Sequence, residues 1–383
     1  MSPDDVISKL DEIMDEQAIL KLQQLGTAAP DPVSALGMDK ASFCKLAALK
    51  YNHINNIKNN AQEEVEFHAP VVTFPPTTTS IIVTTYFNSR VDPLRCYKHP
   101  LGHMAADNWA YLEHWWLSVF RSGLSAIIFH ESLSQEFTAK LTTEKIKFQQ
   151  VTLAHHTWSL CDERWAVYSK WLTTPAAQYI EYTLQMDLSD TVVARDPFSL
   201  FEQGLDVSVP SERDDERRGL EEDLAVQKGT DIQNQQHIKD QGSVNGGNIK
   251  GGGDSHRQRH PDLWVNVQRA TDWIQTNYNE CYGTNNTALL PGGTRGMAYN
   301  AGVVGGRKEA FLDLANAIVA EFDEMYSHPD RAIWNCDMSA LHKILTSGKF
   351  LNKHSLFAGG HPFCAGGVKC WGHGVCDYRI YHK

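Results

Sequence analysis

"EYTLQMDLSDTVVARDPF", residues 181 to 198, sets two carboxylates, Asp187 and Asp190, between an apolar run ending at Met186 and a β-branched run starting at Thr191. An ionised carboxylate is very costly to bury unless something compensates it. A cation can do so, and so can the backbone amides of a turn. D-x-x-D after a hydrophobic strand suits Mg²⁺ or Mn²⁺, hard ions that take oxygen ligands from one or two carboxylates and share their remaining positions with phosphates. An Asx-type turn at a strand end explains the same pair, and in isolation the pair favours the turn. The surroundings raise the cation: hydrophobic strands flank the pair on both sides, and Pro197 in "RDPF" fixes the exit of the second one.

Upstream, strand-like and helix-like segments alternate. "SIIVTTYF" (80–87), "SAIIFHES" (125–132), "KIKFQQVTL" (145–153) and "YTLQM" (182–186) are short β-branched or apolar runs. Between them, "DNWAYLEHWWLSVFRSG" (107–123) repeats aromatics at helical spacing and ends at Gly123, a suitable C′ residue. "DERWAVYSKWLTT" (162–174) reads as a helix with Asp162 as N-cap. This alternation predicts an α/β fold with a mixed, mostly parallel sheet flanked by helices. Ligands of such sheets bind at the carboxyl ends of the strands, where Asp187 and Asp190 fall.

The 383 residues are 42% hydrophobic, enough to fill a large core, and carry a net charge of −11. No basic block with interleaved aromatics is present, so nucleic-acid binding has no electrostatic footprint. Residues 1–70 are expected to form a helical N-terminal extension or stem, since "DDVISKLDEIMDEQAILKLQQL" carries apolar residues at three and four spacing. After the linker "APVVTFPPTTTS", residues 71–383 read as the catalytic domain. It is interrupted by 208–260, a stretch rich in glycine and charge without Phe, Trp or Tyr, expected to be a disordered insertion. The N-terminus lacks signal-peptide features, and no run reaches the roughly 18 apolar residues of a membrane span. Eight cysteines leave the redox compartment open. The triplet Asn285-Asn286-Thr287 fits a secretory lumen weakly.

Seven blocks then occur in a telling order: "SIIVTTYFNSRVDPLR", "GLSAIIFHESLS", "CDERWAVYSKWL", "MDLSDTVVARDPF", "YNAGVVGGRKEAFLDLANAI", "NCDMSALHKIL" and the terminal "YRIYHK". Together they resemble nucleotide-sugar-dependent glycosyltransferases of the GT-A fold, across residues 80–207 and 262–383. The resemblance implies Asp190 as the main metal ligand, with Asp187 at the ribose or the metal. Family members commonly carry D-x-D, so the D-L-S-D of this chain leaves that division open. Thr85, Tyr86 and Phe87, with Thr84 beside them, are expected to face the base and ribose.

In "NAGVVGG", Asn300, Gly302, Gly305 and Gly306 are expected to form a loop against the donor sugar, because glycine permits close backbone approach. A strand-to-helix connection needing glycine only for packing is the other reading. Asp337 stands at a helix start, either as a plain cap or meeting sugar hydroxyls or the acceptor. Asp162 reads first as a cap, while Arg164 can reach the sugar site. At the C-terminus His382 is expected on the metal and Lys383 on the diphosphate. His361, in "GHP", is expected on the acceptor side. Cys364, Cys370 and Cys376 are spaced wrongly for paired zinc knuckles.

The expectation is therefore a metal-dependent glycosyltransferase using Mn²⁺ or Mg²⁺. A sugar would pass from a nucleoside-diphosphate donor, UDP-linked by preference, to a hydroxyl of a glycan, glycoprotein or small acceptor. The absence of a clear general base beyond Asp337 points to retention of configuration. A catalytically degenerate domain that binds a glycan or protein is the alternative. The resemblance implies a Golgi or secretory lumen, and the missing leader leaves the cytoplasm open.

Overall fold

The computed structural model describes residues 64–88, 106–155, 158–203, 261–269, 272–283, 297–328, 335–359, 363–365 and 380–382. The expected N-terminal stem up to residue 63 and the expected insertion lie outside the described residues. The described residues up to Phe201 and from Pro261 onward belong to one compact unit. This unit is an α/β structure.

Its main sheet has eight strands in the order β1-β4-β3-β2-β5-β8-β7-β9. These are β1 (Glu66–Phe67), β2 (Ser80–Tyr86), β3 (Ala126–His130), β4 (Ile146–Thr152), β5 (Tyr182–Met186), β7 (Leu263–Arg269), β8 (Met297–Arg307) and β9 (Leu356–Gly359). Strands β4, β3, β2 and β5 run parallel, and β8 is antiparallel to both β5 and β7. A small second sheet joins β10 (Phe363–Ala365), β11 (Ile380–His382) and β6 (Thr191–Val193).

The parallel strands read as nearly continuous apolar runs because both faces are covered: every residue of β3 and β5 is buried. Helix α1 (Trp109–Ser122) starts at Asn108, whose side chain accepts from the Tyr111 amide at 3.3 Å, and stops at Gly123 with φ 66°. The left-handed turn is the one the sequence leads one to expect, since glycine carries no Cβ penalty there. Helix α2 (Gln135–Leu141) follows β3. The most deeply covered helix is α3 (Leu160–Leu172), with Trp165, Tyr168 and Trp171 completely buried. Its ring contacts reach Phe129 of β3 and Phe311 of α6 (Lys308–Tyr326). Burying such a side chain stabilises by about 1.5–3 kcal/mol each.

Two expectations change. The N-cap of α3 is Ser159, whose hydroxyl accepts from the Asp162 amide at 3.1 Å, and Asp162 sits inside the first turn. A serine three residues earlier caps the helix one turn sooner by accepting the amide of Asp162 itself, which releases the aspartate side chain for a distant partner. "NAGVVGG" is not a loop but the interior of β8. Gly305 and Gly306 are there for packing: a Cβ on Gly305 would lie 2.6 Å from the Leu184 Cδ1 and 3.0 Å from the Thr183 carbonyl oxygen. On Gly306 it would lie 2.2 Å from the Asp262 carbonyl oxygen.

Helices α4 (Phe198–Gln203), α5 (Asp272–Tyr282) and α7 (Asp337–Thr346) complete the described elements used below. A disulfide joins Cys281, in the last turn of α5, to Cys336, the residue before α7.

Candidate functional site

Asp187 follows β5 directly, at the carboxyl end of a parallel strand as its sequence context predicts. Its amide donates to the Gly302 carbonyl at 2.9 Å, extending the β5–β8 ladder by one bond. Its own carbonyl accepts the Thr191 hydroxyl, and the Thr84 hydroxyl donates to the Met186 carbonyl at 2.7 Å. These bonds pin the entrance and exit of the turn that carries Asp187 and Asp190. The Thr84 hydroxyl is thereby engaged with main chain. Tyr86 and Phe87 are buried, and the Tyr86 hydroxyl accepts the Asn108 amide at 3.1 Å. Thr85 is the one partly exposed side chain of the four expected at the nucleotide.

Strand β8 deviates beside this turn. Val265 of β7 faces Val304, yet the next residue, Asn266, faces Asn300, so Ala301, Gly302 and Val303 bulge out of the β7 pairing. Bulges re-aim side chains and free main-chain groups near sites. Here the Asn300 Oδ1 accepts the Gly302 amide at 2.6 Å, and the Ala301 carbonyl accepts an Arg164 Nη2 proton at 3.2 Å.

Arg164 is the centre of the arrangement. Projecting from the first turn of α3, it donates through Nη1 to the Asp187 Oδ1 and through Nη2 to the Asp337 Oδ2. Three segments far apart in sequence, "CDERW", "MDLSD" and "NCDM", thus meet on one guanidinium. Arginine suits this because its planar fork presents several donors in fixed geometry. Burial works against its charge, but the Asp187 and Asp337 carboxylates outweigh it and hold its pKa well above the ordinary value. The Gln185 Nε2 adds a 3.2 Å bond to the Asp187 Oδ1.

Asp337 is buried and opens α7, where its Oδ1 accepts the Met338 amide at 2.7 Å. Burial raises its pKa, opposed by Arg164 and reinforced by Asp187. Behind it, Asp162 accepts the Cys336 amide at 2.9 Å and the Tyr326 hydroxyl at 2.6 Å. Its pKa is pushed up to about 7, first by burial and then by the charge of Asp337. Asn277 fixes the same corner by donating to the Asn335 carbonyl at 3.1 Å, and its Oδ1 accepts the Ser339 hydroxyl at 2.6 Å. The disulfide, Asp162 and Asn277 therefore all anchor the two residues ahead of Asp337.

Sequence reasoning missed the linkage by Asp162 and the Cys281–Cys336 bond; nothing in eight scattered cysteines identifies a pair. It also passed over Gln185 and Asn266, although polar residues inside otherwise apolar strands are a usable signal. Arg307, at the end of β8, lies 3.6 Å from Asp262 and over the Tyr182 ring.

The C-terminal strand β11 returns antiparallel to β6, with the main chain of His382 opposite Thr191, the residue after Asp190. Lys383 and His361 lie outside the described residues, as do Cys370 and Cys376. Among the described residues no group of three or more His, Cys, Asp or Glu side chains is assembled as a metal cage. A phosphate-bound Mg²⁺ or Mn²⁺ does not require one, since one or two carboxylates suffice. The Asp187–Asp190 turn offers that number and type of donors. Asp187 already accepts from Arg164 and Gln185. A scan of protein-family models finds no match to this chain, and a search of curated proteins finds none.

Proposed function

We propose that this chain is a metal-dependent glycosyltransferase of the GT-A fold, transferring a sugar from a nucleoside-diphosphate donor to a hydroxyl of a glycan, glycoprotein or small acceptor. One observation carries the reading: Arg164 gathers Asp187 and Asp337 at the carboxyl edge of the parallel strands, against the bulge that begins at Asn300. That edge is where ligands of α/β sheets bind.

In this reading Asp190 is the main ligand of Mn²⁺ or Mg²⁺, with His382 from the neighbouring strand as its partner and Asp187 held back by Arg164. The cation, when bound, supplies positive charge to the departing nucleoside diphosphate, and Lys383 adds to it. Thr85 stands at the nucleotide. Asn300 and the main chain at Gly302 meet the donor sugar, while Asp337, positioned by Arg164, accepts from its hydroxyls. A disulfide supports an oxidising lumen as the site of action.

The test is Mn²⁺-dependent binding and slow hydrolysis of UDP-sugars. Asp190→Ala is expected to abolish metal-dependent nucleotide binding while leaving the melting temperature near that of the parent. Unchanged metal-dependent binding would remove Asp190 from the site. Tight binding by the parent without any turnover on a broad donor and acceptor panel would favour a degenerate, glycan-binding domain.

A further inference from the structure

Asn266 lies in the middle of β7 and is completely buried, yet neither its Oδ1 nor its Nδ2 has a hydrogen-bond partner among the described residues. A buried, unpaired amide costs about 1–3 kcal/mol, and such groups are few in native proteins. Three strands converge on it. Asn266 is in register with Asn300, at the edge of the β8 bulge, and with Gly359, the last residue of β9. Leu263 and Val265 of β7 face the main core, so alternation turns Asn266 to the opposite face, beside Asn300. Cross-strand partners on one face stand about 4.5–5.5 Å apart. Two carboxamides are thus adjacent where β8 leaves its pairing, on the edge of the sheet that carries Asp187.

We propose that Asn266 is a sugar-reading residue, its amide accepting one hydroxyl and donating to the next on the ring of the transferred sugar. The inference rests on the glycosyltransferase reading and adds a specificity determinant to it. A carboxamide offers both a donor and an acceptor, which matches two adjacent ring hydroxyls and neither a phosphate nor a purely apolar group. Asn300 spends its Oδ1 on the Gly302 amide and so shapes the bulge. Asn266 makes no such main-chain bond, and its hydrogen-bonding capacity goes to the ligand. A site built to bond a hydroxyl rejects an analogue lacking it far more strongly than an apolar pocket discriminates by size.

The experiment compares the full chain with Asn266→Leu and Asn266→Ala, using Mn²⁺ with UDP alone and with UDP-glucose, UDP-galactose and UDP-N-acetylglucosamine. For each, the melting temperature and the dissociation constant are measured. Both variants are expected to keep the UDP response within about twofold and to lose the extra affinity of the preferred nucleotide sugar by about tenfold or more. Without ligand, Asn266→Leu is expected to melt no lower than the parent, because it removes an unpaired amide and keeps the volume. If the parent prefers a nucleotide sugar over UDP and both variants retain that preference, the assignment is overturned while the glycosyltransferase reading stands. Strong destabilisation of both variants without ligand, with the preference intact, assigns the amide a structural role and overturns it equally. If the parent binds neither UDP nor any nucleotide sugar, the functional reading itself fails, and this inference with it.

Discussion

On one side of β5, the strands β2 and β3 bury Ile81, Val83, Ile127 and Phe129 under Trp165, Tyr168 and Trp171 of α3. On the other side, β8 and β7 bury Asn300 and Asn266, and the first turn of the same helix α3 buries Asp162, Glu163 and Arg164. One helix thus serves two chemistries. Its C-terminal two-thirds contribute through burial, which is non-directional and roughly proportional to area. Its first turn contributes through fixed pairs, in which each polar group depends on a named partner and is costly when the partner is lost. The difference teaches that the apolar half tolerates repacking, whereas the polar seam has little freedom of geometry. Such rigidity is what a binding site requires.

Trp171→Ala attacks the apolar half and should have the largest effect. Loss of a completely buried indole is expected to cost about 3–5 kcal/mol, read as a fall in denaturant midpoint. A loss below about 1 kcal/mol would mean the aromatic layer is looser than its ring contacts indicate.

Arg164→Met attacks the seam. It leaves Asp187 and Asp337 close together without their shared cation, and a loss of about 3 kcal/mol is expected at pH 7. The loss should shrink at pH 5, because burial already raises the pKa of Asp337 and the missing cation raises it further. An equal loss at both pH values would show that the ion pairs contribute little.

Asp162→Asn is expected to show its effect in pH dependence rather than in a single midpoint. The pKa of Asp162 is raised from 3.8 to about 7 in the folded chain. Between those values the folded state binds more protons than the unfolded state, so the contribution of this group is full below about pH 4 and is lost as the pH rises through 7. Asparagine cannot titrate. Its stability relative to the parent should therefore improve from pH 4.5 to 7.5, and a constant gap across that window would place the carboxyl pKa near its ordinary value.

Much of the fold was legible because its signals are local. Short β-branched or apolar runs marked β2, β3, β4 and β5, and Gly123 marked the end of α1. The N-terminus of α3 was misplaced because Asp162 and Ser159 are both competent caps, and only the cross-chain bonds of Asp162 to Cys336 and Tyr326 distinguish them. "NAGVVGG" misled for a related reason: glycine serves a loop and a tightly packed strand equally well, and the difference lies in Leu184 against Gly305 and Asp262 against Gly306, partners distant in sequence.

By itself, the sequence determined the alternation of strands and helices, the placing of Asp187 and Asp190 after a buried strand, and the net charge of −11. These follow from hydrophobic periodicity and composition, which depend on near neighbours along the chain. Only the tertiary structure decided that Arg164 joins Asp187 to Asp337, that Cys281 bonds Cys336, and that Asn266 faces Asn300 beside a bulge. Those pairings are set by strand register and helix packing between segments far apart in sequence, and a one-residue shift in register would exchange the faces on which they meet.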